Sequence, residues 1–130
     1  HEGIVLGICA GGDLLSDRID FKIPTQHIKQ ERPLKLFPGL VRGPQFDGFL
    51  YGDDSGAKVA KLTCNLGTQQ KPFQTTGYFN GGGCFVDAEK YENVEILATY
   101  NDESDLKVYT NEEETKVGDE SIGKNKAAII

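Results

Sequence analysis

Gly3-Ile4-Val5-Leu6-Gly7-Ile8-Cys9-Ala10-Gly11-Gly12 is the stretch on which the reading of the fold turns. Four of the five residues from Ile4 to Ile8 carry branched apolar side chains, the composition of a strand buried on both faces of a parallel sheet. The strand is expected to end at Cys9, with Gly7 two residues before it and Gly11 two residues after. That spacing matches the G-x-nucleophile-x-G elbow, a sharp strand-to-helix turn that presents its nucleophile at the carboxyl edge of the sheet. Glycines belong there because the nucleophile's backbone is strained and its neighbours must approach closely. Amides at the start of the following helix, that of Ala10 first, can hold an oxyanion. The competing reading of the same residues is a small cysteine at the end of an apolar strand, serving only as core.

Composition narrows the classes. With 130 residues, 38% apolar and 26% charged, the chain has the make-up of one globular domain. A net charge of −6 argues against nucleic acid and anionic membrane as partners. No apolar run approaches the roughly 20 residues that span a bilayer as a helix. Three cysteines, Cys9, Cys64 and Cys84, are widely spaced and form no C-x-x-C pair. Free thiols in a reducing, cytoplasmic setting are the expectation, with no metal site. The chain lacks methionine, opens one residue before a central-type strand and closes on the apolar run Ala127-Ala128-Ile129-Ile130. We therefore expect a fragment of a longer protein, one that self-associates when made alone.

Along the chain, Asp13 to Arg18 has room for a short helix, with Asp13 placed to suit the helix dipole. Ile19-Asp20-Phe21-Lys22-Ile23 alternates strictly and predicts a half-buried strand ended by Pro24. Residues 25–32 are polar and read as a loop. Pro33 to Gly39 is a short extended piece, and Arg42-Gly43-Pro44 reads as a turn incompatible with regular structure. A hairpin is expected between residues 46–51 and 57–64, around Gly52-Asp53-Asp54-Ser55-Gly56. Residues 67–74 read as a loop, 88–93 as a turn or single helical turn, and 94–100 as a strand. Residues 101–126 turn acidic and polar and predict a mobile loop with a brief strand at 106–109. Lys126 to Ile130 reads as the start of one more buried strand.

Five segments, taken in order, then point to a family: Leu6-Gly7-Ile8-Cys9-Ala10-Gly11-Gly12, Phe37-Pro38-Gly39 with Arg42-Gly43-Pro44, Tyr78-Phe79-Asn80-Gly81-Gly82-Gly83, Phe85-Val86-Asp87-Ala88 and Val94-Glu95-Ile96-Leu97. Together they resemble the amino-terminal, glutamine-amidotransferase-like domain of fungal biotin–protein ligases. The resemblance implies an α/β fold, here part of a three-layer α/β/α sandwich of the class I amidotransferase (flavodoxin-like) type, strand-rich with added short antiparallel strands. It also implies that ligase chemistry, with its ATP and biotin, belongs to a separate domain absent from this sequence, leaving no cofactor here. The implied partners are that ligase domain and, through the parent, biotin-dependent carboxylases. Where class I amidotransferases carry a glutamine after the elbow, this sequence has Gly12-Asp13. Its histidines, His1 and His27, match no catalytic partner for Cys9, whereas a Cys–His mechanism needs a base within hydrogen-bond reach.

Two function classes follow. In one, the domain is regulatory or structural and Cys9 is a catalytically idle nucleophile-like residue. In the other it is a cysteine-dependent amidase or glutaminase, with Cys9 attacking a carbonyl and the Ala10 amide in the oxyanion hole. Gly11, Gly12, Arg42, Asn80, Gly81 and Gly82 are the candidate ligand-binding residues. Arg42 either clamps a carboxylate with its planar fork or holds its own loop. The Asn80–Gly83 loop either takes an anion or lets backbone pack closely.

Overall fold

The computed structural model describes residues 3–67, 71–101, 108–109, 114–115 and 126–130. A six-residue helix, α1 (Ala10–Leu15), leads directly into β1 (Ser16–Ile23). Ser16 ends the helix: its amide and its hydroxyl both donate to the Asp13 carbonyl, the hydroxyl at 2.6 Å. Along β1 the side chains of Ile19, Phe21 and Ile23 are buried and Lys22 is exposed, as the pattern predicts, but Asp20 is buried too, so the strand is covered on both faces there rather than half-buried. The helix begins and ends earlier than residues 13–18, at the first position after Cys9.

The next strands depart from expectation. Residues read as a polar loop form β2 (Gln26–Glu31), which turns back on β1 through Pro24-Thr25 with Ile23 opposite Gln26 and Arg18 opposite Glu31. All but Ile28 on β2 are exposed, so no alternation marks the strand, and β1 supplies the ladder that makes it one. Arg42-Gly43, read as incompatible with regular structure, closes β3 (Phe37–Gly43), which runs parallel to β1 with Ile19 opposite Val41 and Asp20 opposite Arg42. Gly43 suits the strand because a Cβ there would lie 2.5 Å from the Phe21 ring.

β4 (Ala57–Cys64) falls on the residues predicted for it, but its hairpin partner does not. Residues 46–51 are a bend, turns and irregular chain, and β4 pairs along its whole length with β5 (Phe73–Asn80), Ala57 opposite Asn80 and Cys64 opposite Phe73. The short strand β6 (Cys84–Phe85) lies against β3. A single 3₁₀ turn at Ala88–Lys90 follows, then β7 (Ala98–Tyr100), shorter than the predicted strand. Residues 94–97 stay outside the ladder because Val94 and Ile96 pack on the Phe37–Val41–Ala88–Ala127 cluster instead. A small antiparallel pair joins β8 (Val108–Tyr109) to β9 (Glu114–Thr115). The rest of the predicted mobile loop lies outside the described residues.

The last strand, β10 (Lys126–Ile129), enters the sheet as expected and completes the order β2-β1-β3-β6-β10-β7-β4-β5. It joins two halves, because Ala127 faces Phe85 on one side and Thr99 on the other. The sheet is mixed, with β1 and β3 parallel and the remaining pairs antiparallel, which makes this a strand-rich α/β fold. Its largest buried ring cluster lies in the β4–β7 half, where Phe46 meets Tyr100 edge-on at 5.8 Å and Phe79 meets Tyr100 at 5.2 Å.

The expectation for Ile4–Ile8 is overturned. These residues pair with no strand among the described residues, and they are not the centre of the sheet. Ile4 is fully exposed and Val5, Leu6 and Ile8 are 64–80% exposed.

Candidate functional site

Cys9 sits between the exposed Ile4–Ile8 stretch and α1, and its backbone is strained. Its φ of 57° and ψ of −125° lie in a region that non-glycine residues rarely occupy. The turn is drawn tight by two backbone bonds, the Gly11 amide donating to the Ile8 carbonyl and the Gly12 amide to the Cys9 carbonyl, both at 2.9 Å. Gly7 is required by close approach: a Cβ there would meet Leu15 at 2.7 Å and the Gly11 carbonyl group at 2.8 Å. Gly11 itself faces open space, and Gly12 lies in ordinary contact with Phe85. The Cys9 side chain is exposed, and so is Ala10. Among the described residues the thiol makes no hydrogen bond.

Asp13, one turn along the helix, is buried enough that desolvation pushes its carboxyl up from the usual aspartate value, with the Arg32 charge opposing. Its Oδ1 lies 3.8 Å from where a Gly83 Cβ would stand, so α1 packs over the glycine loop.

That loop is held through its carbonyls. Gly81 and Gly82 both have positive φ, 79° and 63°, which glycine adopts without penalty. The Gly81 carbonyl accepts from the Gln45 and Phe46 amides at 2.8 and 3.0 Å, and the Gly83 carbonyl accepts the Tyr100 hydroxyl at 2.8 Å. A Cβ on Gly81 would strike the Phe49 ring at 2.8 Å. Asn80, at the loop's entry, donates to the Asp53 carbonyl at 2.9 Å and so ties it to the 52–56 turn. Burial pushes the Tyr100 hydroxyl well above the usual tyrosine range, so it serves as a neutral donor.

Arg42 does clamp a carboxylate, and it is the protein's own. Its Nε and Nη2 donate to Asp20 Oδ2 at 3.1 and 2.9 Å, across the parallel β1–β3 ladder, with both residues only 8% exposed. The other oxygen, Oδ1, lies 2.7 Å from His27 Nε2 on β2. Burial alone would push the Asp20 carboxyl up; the hydrogen bonds and charges of His27 and Arg42 together hold it below the usual value. Three strands thus share one charged network, β2 through His27, β1 through Asp20 and β3 through Arg42. Sequence reasoning passed over Asp20 and the His27 pairing. The one available signal was the polar face of Ile19-Asp20-Phe21-Lys22-Ile23, which does not reveal that Asp20 is buried or what it meets.

The site residues therefore separate. Cys9, Ala10, Gly11 and Gly12 form the strained turn, Gly81 and Gly82 the loop beneath α1, and Arg42 a buried pair with Asp20. His27, the histidine within the described residues, is engaged by Asp20. Among the described residues no cluster of His, Cys, Asp and Glu has the make-up of a metal site.

Comparison with known proteins fixes the kinship. A family model described as "Biotin-protein ligase, N terminal" matches residues 1–130. The chain belongs to the biotin–protein ligase N-terminal family. It is 41% identical over 102 residues to the biotin–protein ligase of Schizosaccharomyces pombe, covering 77% of this chain and 16% of that one. It is 35% identical, also over 102 residues, to a protein of Chlamydia muridarum named "Uncharacterized protein", covering 38% of it. The chain thus spans less than half the length of either relative. No solved structure matches it.

Proposed function

We propose that this chain is a non-catalytic, regulatory or structural domain of a biotin–protein ligase, working within a longer polypeptide. The observation that carries the reading is that the exposed Cys9 thiol makes no hydrogen bond among the described residues. Cysteine attack on an amide needs a base within hydrogen-bond reach, and His27 instead meets Asp20 in the β2–β1–β3 network. In this reading ATP and biotin are handled by the ligase part of the parent, the carboxylase acceptors dock there, and the setting is cytoplasmic. Among the described residues Cys9, Cys64 and Cys84 form no disulfide, which suits a reducing compartment.

The finer architecture is part of the same proposal. We take the eight-stranded sheet as one portion of a three-layer α/β/α sandwich of the amidotransferase-like type, with the turn at Cys9 as its elbow. The exposure of Ile4, Val5, Leu6 and Ile8 supports this. Each side chain left in water forfeits roughly 1.5–3 kcal/mol of burial, so a cover from elsewhere in the parent is expected. The aligned 102 residues are a 16% share of one relative and a 38% share of the other, which suits a module carried in chains of different length.

The second reading, a cysteine-dependent amidase, draws on the strained Cys9 backbone, which matches that of a presented nucleophile with the Ala10 amide beside it. Biotin attachment to a carboxylase acceptor by the full-length ligase separates the two. Cys9→Ala is expected to leave its rate within twofold, whereas Arg42→Met, which removes the β3 partner of buried Asp20 and leaves only His27 of the pair described, is expected to change it severalfold. Loss of biotin attachment in Cys9→Ala would overturn the proposal.

A further inference from the structure

Among the described residues the sheet has two edges, and they are built differently. At one end β2 carries Lys29 and Glu31, charges that blunt an edge against further pairing. At the other end β5 runs Phe73-Gln74-Thr75-Thr76-Gly77-Tyr78-Phe79-Asn80, eight residues without one charge, opened by Pro72. Residues 73–76 and Tyr78 are exposed. A long, uncharged edge of β-forming residues is a template for another strand.

We propose that β5 is a homodimer edge: it pairs antiparallel with β5 of a second copy about a two-fold axis through Thr76, continuing the sheet from one copy into the other. Outward-facing backbone groups alternate along a strand, so an antiparallel two-fold must pass through a residue rather than between two. An axis at Thr76 sets Thr76 against its own copy, Phe73 against Phe79 and Gln74 against Tyr78. Threonine–threonine and aromatic pairs are favourable cross-strand partners. No like charges meet at the axis. Beyond the strand, the same register brings exposed Lys71 opposite Gly81 of the second copy. There Asn80 holds the turn that carries Asp53 and Asp54, both exposed. The two-fold repeats this basic-to-acidic match at both ends of the interface, so the edge is complementary to itself in charge as well as in pairing.

The test is sedimentation equilibrium of the full-length protein, wild type and variants. Thr76→Glu is the decisive change. Within one copy Thr76 faces Lys61 across the β4–β5 ladder, so a glutamate there is accommodated; across the axis two carboxylates would stand opposed. The wild type is expected to dimerise reversibly, and Thr76→Glu to weaken the dimer at least tenfold with an unchanged circular dichroism spectrum. Lys71→Glu should weaken it severalfold, and adding Asp53→Lys and Asp54→Lys should restore it. A wild type that stays monomeric would overturn the proposal, as would a dimer indifferent to Thr76→Glu or to the charge swap. A Thr76→Glu protein that misfolds leaves the charge swap to decide.

Discussion

At the scale of single residues, the two glycines that flank Cys9 have different reasons to be there. Gly7 is pressed between Leu15 and the Gly11 backbone, while Gly11 stands over open space inside a helix. Gly7→Ala should therefore cost about 1–3 kcal/mol through overpacking. Gly11→Ala should be neutral or stabilise by roughly 0.5–1 kcal/mol, since alanine is the better helix former. Chemical denaturation of the pair checks this, and an equal loss in both would contradict it. Asp20 makes a prediction about acid. Its carboxyl titrates below the roughly 3.9 of an unfolded aspartate, so its stabilisation is complete above about pH 4 and is lost as pH falls through the folded value. Asp20→Asn removes the buried carboxylate that Arg42 and His27 share and should cost about 3–5 kcal/mol near neutral pH. Its stability should then vary less between pH 5 and pH 2 than that of the wild type.

At the scale of elements, legibility followed burial. β4 and the core of β1 were readable because alternation between apolar and polar residues survives wherever one face is covered. β10 was readable from its apolar composition. β2 was not, because an edge strand with exposed side chains needs only backbone pairing, and backbone pairing leaves no pattern in the sequence. β3 was missed for the opposite reason: Pro38, Gly39 and Gly43 look like punctuation, yet Gly43 is there to admit the Phe21 ring. The apolar run Ile4–Ile8 shows that hydrophobicity reports a need for cover without naming the cover. Of the site, the sequence marked the Cys9 turn and the glycine loop. It could not mark Asp20 or the engagement of His27, since both depend on the register of β1 against β2 and β3.

At the scale of the whole molecule, β10 is what makes one sheet of two. Ala127 is 2% exposed and forms ladder pairs with both Phe85 and Thr99. Ala127→Asp would bury an unpaired charge at this junction and should destabilise by at least about 3 kcal/mol. Hydrogen exchange should then accelerate in β3 and β6 as well as in β7 and β4; faster exchange confined to one side would mean that the halves hold together by other means. The Tyr100 hydroxyl on the Gly83 carbonyl and the Gln45 amide on the Gly81 carbonyl also cross that junction, so the glycine loop fastens the sheet beneath α1. This accounts for a loop rich in glycine without calling on a ligand. The central claim is that the domain keeps a strained cysteine turn while its described histidine is bound to an aspartate instead. Ammonia release from glutamine by the full-length protein, wild type beside Cys9→Ala, tests it most directly. We predict release at the enzyme-free background for both; release by the wild type that disappears in Cys9→Ala would contradict the account.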